Sequence, residues 1–233
     1  ILIQTMILAA GRGERMRPLT DTLPKPLLPV NDKPLIVHHI ERLAAVGITD
    51  IVINHAWLGE RLEAALGDGS QFDVAIQYSR ETTALETAGG IAHALPLLGD
   101  QPFLVINGDV WCDWNPMQAV SVVNRLHDSP TQAWLLMVNN PEHHPEGDFR
   151  LDAQGYLSPR QNGDAALTYA GIGVFHPSLF RNIDRDQPAP LAPLLRMAMT
   201  TRSVEGYHYT GHWTDVGTPE RLAELDRQLR AAR

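Results

Sequence analysis

Lysine is almost absent from this 233-residue chain. It occurs only at Lys25 and Lys33, and arginine supplies the rest of the 19 basic side chains that face 27 acidic ones. The formal charge of −8 and an isoelectric point near 5.6 repel nucleic-acid backbones and anionic membranes at long range, which disfavours a non-specific polyanion binder. A small phosphate ligand stays possible, because backbone N–H groups at a helix start hold an anion without net positive charge. Cysteine is nearly absent too. The lone Cys112 cannot form an intrachain disulfide and has no zinc-type spacing around it, so it reads as a small half-buried hydrophobe in a reducing compartment. No stretch approaches the roughly 18 apolar residues of a membrane span. The apolar start ILIQTMILAAG lacks a basic lead-in and turns straight into a Gly/Arg-rich loop, unlike a secretory signal. A cytoplasmic protein that binds neither nucleic acid nor membrane is therefore expected.

A hydrophobic content of 44% with 20% charged residues is that of an ordinary globular protein, and excludes collagen, coiled coil and disorder. At this length one domain buries roughly 70–75% of its unfolded surface, so a core without staples is expected. Residues 3–8 (IQTMIL) read as a buried strand that ends at Ala9, Ala10 and Gly11. A loop with four prolines and two glycines runs to about residue 33. From Pro34 to Gly47, Leu35, Ile36, Ile40, Leu43 and Ala44 repeat at helical spacing, with Pro in the opening turn and Gly past the end. Strands at 50–54, 72–78, 103–107 and 133–138 then alternate with helices at 57–66, 88–98 and 114–127. Such alternation predicts a largely parallel sheet with helices on both faces. Beyond residue 138 the texture is looser, with a strand at 168–175, a helix from about 192 and an amphipathic helix at 219–233. No linker separates the textures, so one domain is expected, with a nucleotide half (1–138) and an acceptor half (139–233).

The strongest chemical signal lies after the first strand. Gly11 and Gly13 let the backbone pass close to a phosphate chain, and Arg15 and Lys25 are placed to neutralise it. A dinucleotide fingerprint needs a third glycine where Met16 stands, and a Walker A loop needs Gly-Lys-Ser/Thr, which is missing. Pro24 and Pro26 stiffen the backbone on either side of Lys25, holding one lysine in place at low entropic cost in a chain that otherwise avoids the residue. Asn107-Gly108-Asp109 follows the strand FLVIN, at the sheet edge where open α/β folds bind ligands. A carboxylate beside phosphates suits Mg²⁺, although an aspartate such as Asp109 or Asp215, taken alone, is more often a turn or cap residue. Thr87 likewise reads either as a helix cap or as part of a nucleotide-facing turn.

The segment LAAGRGERMRPLT, followed by PKPLLPV, resembles the signature of the sugar-1-phosphate nucleotidyltransferases. The likeness runs from Met6 to about Leu225, through NHAWLG (54–59), LETAGGI (85–91), NGDVW (107–111), PEHHPEGDFRL (141–151) and GHWTDVGTPERL (211–222). It is strongest to members that join a uridylyl group from UTP to N-acetylmuramate α-1-phosphate in bacterial cell-wall recycling, and weaker to those that make GDP-mannose. It implies a Rossmann-like, doubly wound, mostly parallel mixed sheet in three α/β/α layers. It also implies a nucleotide site at Ala10, Gly11, Gly13, Glu14, Arg15, Lys25, Ser79, Leu85, Thr87, Gly90 and Asn107, with Arg15 and Lys25 catalytic. Asp109 and Asp215 are implied as Mg²⁺ ligands.

By the same resemblance, Gly147, Asp148 and Gly171 meet the sugar. Better-known members use the lysine of a Glu-Lys-Pro motif to hold the sugar phosphate. No lysine follows Lys33, so Arg160 is taken as the substitute. The expected partners are a nucleoside triphosphate and a sugar 1-phosphate, with the chain a monomer or small homo-oligomer. A non-catalytic sensor of the same fold is the rival class, and retention of both aspartates favours the enzyme. The end soon after 219–233 leaves no room for the β-helix of acetyltransferase relatives, so acetyl transfer is not expected. Of the histidine pairs, His38-His39 is expected on a helix surface, where adjacent side chains point apart and cannot chelate together. His143-His144 is expected at the border of the acceptor site and not as a metal site. The five dispersed tryptophans are read as packing residues.

Overall fold

The computed structural model describes residues 3–233. The buried run at the start becomes β1 (Gln4–Leu8), and the proline-rich loop after it holds three 3-10 turns and the hairpin of β2 (Pro29–Val30) and β3 (Lys33–Pro34). There follow α1 (Leu35–Ala45), β4 (Asp50–His55), α2 (Gly59–Leu66), β5 (Ala75–Arg80), α3 (Glu86–Leu98), β6 (Phe103–Asn107), β7 (Val110–Cys112), α4 (Gln118–His127) and β8 (Ala133–Val138). The remainder forms β9 (Phe149–Leu151), β10 (Leu157–Pro159), β11 (Thr168–Phe175), α5 (Leu191–Met199), β12 (Val204–His208), β13 (Trp213–Asp215) and α6 (Pro219–Ala231).

Seven strands make one sheet in the order β12-β8-β11-β6-β1-β4-β5. Neighbours are parallel except β11, which runs antiparallel to both β6 and β8. The mixed, mostly parallel sheet expected from the sequence is thus present. Two of its strands, β11 and β12, come from beyond residue 138, and both flank β8. Alternate side chains along each strand face opposite layers. Ile7, Ile53 and Ile106 pack with apolar residues of α1, α2 and α4. Met6, Val52 and Val105 pack with those of α3 and α5. In a third cluster, Leu222 and Leu225 of α6 cover Met16, Leu28 and Val30 of the long loop.

Boundaries shift where local chemistry outweighs the apolar pattern. The strand expected from residue 72 begins at Ala75, because Ser70–Phe72 forms a 3-10 turn and Asp73 takes a left-handed φ of 60°. The helix expected from 114 begins at Gln118, because the Asn115 side chain accepts from the Met117 N–H at 3.0 Å and holds a turn ahead of it. The strands β7, β9, β10 and β13 carry only three residues each, too few for a period to be visible, and β12 (VEGYH) ends in exposed polar positions without an apolar run. Among the described residues, no helix is long and apolar enough to cross a membrane.

Candidate active site

β1 lies between β4 and β6, and the helices after β1 and before β6 lie on opposite faces of the sheet. A crevice opens where the winding reverses, beyond the carboxyl ends of the strands. The Gly-rich loop leaves β1 there, and Asn107-Gly108-Asp109 leaves β6 beside it. The two exits touch: the Gly108 N–H donates to the Leu8 carbonyl at 2.8 Å. A Cβ on residue 108 would stand 2.6 Å from that oxygen, so only glycine permits the crossing.

The crevice forms a cavity of about 360 Å³. Ala10, Gly11, Gly13, Glu14, Arg15 and Lys25 line it from the first loop. Thr87, Asn107 and Asp109 line it from across the crevice, together with Asn54. Lys25, in its own 3-10 turn after Pro24, has a side chain only 11% exposed, and its Nζ donates to Asp109 Oδ2 at 3.1 Å. The loop is rigid for visible reasons. Thr20 Oγ1 donates to the Gly13 carbonyl at 2.7 Å. Arg12 donates to the Thr20 carbonyl and to Asp21 while lying 4.1 Å from the Trp57 ring centroid. Trp57 Nε1 donates to the same Thr20 carbonyl at 2.8 Å. Arg12 is therefore spent on the scaffold, and its contact holds Asp21 below the usual carboxylate range.

Ser79, Leu85 and Gly90 line none of the cavities described here. Ser79 and Leu85 are buried. All three lie around a polar network that the sequence reading missed. Asn54 Oδ1 accepts from the Ala9 N–H at 2.8 Å, while Asn54 Nδ2 donates to Glu81 Oε2 at 2.8 Å. Glu81 Oε1 accepts from the Leu85 N–H at 3.0 Å. Burial raises the Glu81 carboxyl above its ordinary range. A Cβ on residue 90 would sit 2.9 Å from the Asn54 amide. This network ties the phosphate loop to the start of α3. Its one sequence signal was Asn54, a polar residue closing a buried apolar strand. Asn54 stands level with Asn107, since both pair with Leu8 across β1.

A second cavity of about 380 Å³ shares Arg15, Asn107, Asp109 and Gly217 with the first and continues towards Gly171 and Asp215. Gly171 has φ +79°, at a register shift in β11 between Tyr169 and Gly173. A Cβ there would lie 2.8 Å from Asn107 Nδ2, so the bulge lets β11 approach Asn107. The buried Asn107 Oδ1 has no hydrogen-bond partner. β7 and β13 pair antiparallel, Asp215 opposite Val110, and the Val216 N–H donates to the Asp109 carbonyl at 2.8 Å. Two aspartates 106 positions apart thus come to adjacent places on one short ladder.

His143 Nε2 donates to Asp215 Oδ2 at 2.6 Å. Arg221 Nε is 2.7 Å from Asp215 Oδ1, but both atoms lack a properly directed hydrogen bond. The contact is one of charge, and Oδ1 keeps a free lone pair. Two carboxylates at a phosphate-sized crevice, one with an unsatisfied oxygen, fit a hard cation that completes its shell with water and phosphate oxygens.

The far side of the second cavity is less uniform. His143 and His144 both border the second cavity. Asp148 accepts from His144 Nε2 at 2.9 Å and from the Tyr169 N–H at 2.8 Å. It lines a third cavity of about 450 Å³, whereas Gly147 lines none of the three. Arg160 also stays outside them and pairs with exposed Glu146 at 3.2 Å. His39 departs from the expected surface placement. It is 4% exposed, and its Nε2 donates to the Val110 carbonyl at 2.7 Å. Burial lowers its pKa to about 4. Cys112 is fully buried, and its thiol is pushed up to about 11 by the same desolvation.

A family model described as nucleotidyl transferase matches residues 4–232. The chain is 53% identical over 223 residues to N-acetylmuramate alpha-1-phosphate uridylyltransferase of Neisseria meningitidis serogroup B, covering 95% of this chain and 96% of that protein. It is 34% identical to the protein of the same name from Caulobacter vibrioides, covering 97% and 96%. A mannose-1-phosphate guanyltransferase of Hypocrea jecorina is 32% identical over 92% of this chain, which spans 61% of that longer protein. Among solved structures, a putative glucose-1-phosphate thymidylyltransferase from Bacillus anthracis superposes with a TM-score of 0.83 at 22% identity, covering 99% of this chain and 96% of that one. A UDP-glucose pyrophosphorylase complexed with UDP-glucose gives 0.81 at 20% identity over the whole of both chains. At these identities the two structures speak for the fold alone.

Proposed function

The chain belongs to the nucleotidyl transferase family, and we propose that within it this protein transfers a uridylyl group from UTP to N-acetylmuramate α-1-phosphate, releasing pyrophosphate. The observation that carries the reading is the seam of the first two cavities, where Arg15, Asn107 and Asp109 are shared and Lys25 stands 3.1 Å from Asp109. The acceptor and base follow the relative that is 53% identical over nearly the whole of both chains.

In this reading the triphosphate lies along Ala10, Gly11 and Gly13, which offer little more than backbone and so let it come close. A phosphate oxygen of the sugar attacks the α-phosphorus of UTP in line. One P–O bond forms as the bond from the α-phosphorus to the bridging oxygen of pyrophosphate breaks. Both bond-changing atoms are already oxyanionic or become so, so no proton needs to be moved and no covalent intermediate is required. Catalysis is then positioning and charge stabilisation. Lys25, held between prolines, and Arg15 take up charge on the departing pyrophosphate. Asp109 and Asp215 would hold Mg²⁺, which supplies Lewis-acid stabilisation to the phosphate oxygens when bound. His143 and Arg221 keep Asp215 turned towards the crevice. The soluble fold and the buried, free Cys112 suit a cytoplasmic setting.

The test is a pyrophosphate-release matrix of four nucleoside triphosphates against N-acetylmuramate, N-acetylglucosamine, glucose and mannose 1-phosphates. UTP with N-acetylmuramate 1-phosphate is expected to give the highest kcat/KM. A maximum at GTP with mannose 1-phosphate reassigns the substrates, and no pyrophosphate from any pair removes the enzyme reading.

A further inference from the structure

Glu86 has φ +58°, a left-handed backbone that suits glycine and is an outlier for a long side chain. Such strain persists only where surroundings over-determine it, and it concentrates at functional sites. Glu86 lines both the nucleotide cavity and the third cavity, as do Thr87 and Asn107. Among the described residues its carboxylate has no salt bridge within 4.0 Å and no hydrogen bond. Beyond it the third cavity has an apolar wall of Phe149, Tyr169, Pro190, Leu191 and Leu195.

The chemistry of that seam restricts what Glu86 can meet. An ionised carboxylate only accepts hydrogen bonds, and beside a polyphosphate crevice it repels the charged part of the ligand. Its partner must be a donor on an uncharged part, next to something apolar. An acetamido group has that combination: an N–H for the carboxylate, a methyl for the apolar wall, and an acyl oxygen for which the Thr87 hydroxyl is a donor in the same two cavities. Resting on the acceptor reading above, we propose that Glu86 is a specificity-determining residue, its carboxylate accepting the acetamido N–H of the acceptor sugar where the nucleotide and third cavities join. The carboxylate thereby rejects acceptors without that donor, since an unmatched polar group in a ligand-filled site is costly. A role confined to favouring the first turn of α3 electrostatically needs neither the left-handed backbone nor a place between two cavities.

The experiment compares wild type with Glu86→Gln and Glu86→Gly, using UTP and two acceptors: N-acetylmuramate 1-phosphate, and glucose 1-phosphate as alternative substrate or competitor. Glu86→Gly is expected to lose about tenfold or more in kcat/KM for the N-acetylated acceptor, roughly one hydrogen bond to a charged group, and Glu86→Gln, whose amide oxygen still accepts, a smaller but clear part of that loss. The KM for UTP is expected to stay within about twofold, while kcat/KM for glucose 1-phosphate holds or rises because the carboxylate that disfavours it is gone. Glu86→Gly is also expected to raise Tm, because it relieves the left-handed backbone, so lost activity cannot be put down to misfolding. Equal loss on both acceptors, a shifted KM for UTP, or unchanged kinetics in Glu86→Gln overturns the role of Glu86. If wild type itself fails to use N-acetylmuramate 1-phosphate, the acceptor reading falls and takes this one with it. Wild-type turnover with undiminished variants removes only this one.

Discussion

The side of the crevice proposed for the nucleotide and the side proposed for the acceptor are built differently. The first is a loop of about two dozen residues pinned on itself: Thr20 to Gly13, Arg12 to Thr20 and Asp21, Trp57 over Arg12, and Lys25 fixed between prolines. The second is assembled from distant segments. His143 meets Asp215 across 72 positions, and Asp148 meets the Tyr169 backbone across 21. A loop closed mainly by its own contacts, with Trp57, Asn54 and α6 as outside supports, places a cation with few distant partners. A site made from separate strands and turns can be reshaped one contact at a time, which suits the part of a transferase family that must distinguish acceptors.

The widest separation of the two sides is expected from Lys25→Ala. In the proposed reaction its ammonium serves the phosphates common to every substrate pair, so kcat is expected to fall by about 10² to 10³, the usual size for removing one charge-stabilising group. The loss should be the same for every acceptor. Asp109 is 43% exposed, so water can replace the lysine and Tm should move little. Single-turnover pyrophosphate release with two acceptors checks this, and a loss that depends on the acceptor contradicts the division of labour.

A smaller effect is expected at the join of the two sides, through pH. His39 reaches from α1 to the Val110 carbonyl, next to Asp109 and on the ladder that carries Asp215. Its folded pKa of about 4 lies below the ordinary value near 6.5. Between those values the unfolded chain binds more protons than the folded one. Stability from His39 is therefore complete above about pH 6.5 and is lost as pH falls towards 4. The full loss is on the order of 3 kcal/mol at 1.36 kcal/mol for each pKa unit. Denaturant melts at pH 7 and pH 4.5 should show the loss in wild type and a smaller one in His39→Gln, whose amide can still donate to Val110. Parallel pH dependence in the two proteins removes His39 as the cause.

The same division governs what could be read from the residues. The β1 to β6 alternation was plain because each element has its own period, and Gly11, Gly13, Lys25 and Asn107-Gly108-Asp109 were plain because each lies in one short segment. Asp215 was reached only through resemblance, since nothing in His212-Trp213-Thr214-Asp215 says that it pairs with Val110. The Asn54–Glu81 network was not legible because its members come from one strand and two loops, and only burial shows that Glu81 needs partners. The strand β13 is too short to show a period, and β12 lacks an apolar run because its last residues are exposed. Nothing in the sequence singles out Glu86, since its backbone angle is a property of the folded chain alone.

The smallest expected effect is at Arg160, and it bears directly on the acceptor side. The lack of any lysine after Lys33 made an arginine the natural substitute for a sugar-phosphate cation, and Arg160 had a suitable place in the chain. In the folded protein it lies outside all three cavities and pairs with Glu146, which is 71% exposed. Exposed ion pairs of this kind contribute about 0–1 kcal/mol, and often nothing measurable. Arg160→Ala is therefore expected to change kcat/KM for the sugar phosphate by less than about twofold, the scale of a solvent-screened pair, with Tm unchanged. The acceptor's phosphate is then left to cations already at the seam. Arg15 lines both cavities there, and Arg221 stands behind Asp215 with buried, unpaired N–H groups. A large rise in the KM for the sugar phosphate in Arg160→Ala, with the KM for UTP unchanged, would mean that the β9–β10 hairpin closes over the acceptor. The acceptor side would then be a moving part facing a rigid nucleotide loop.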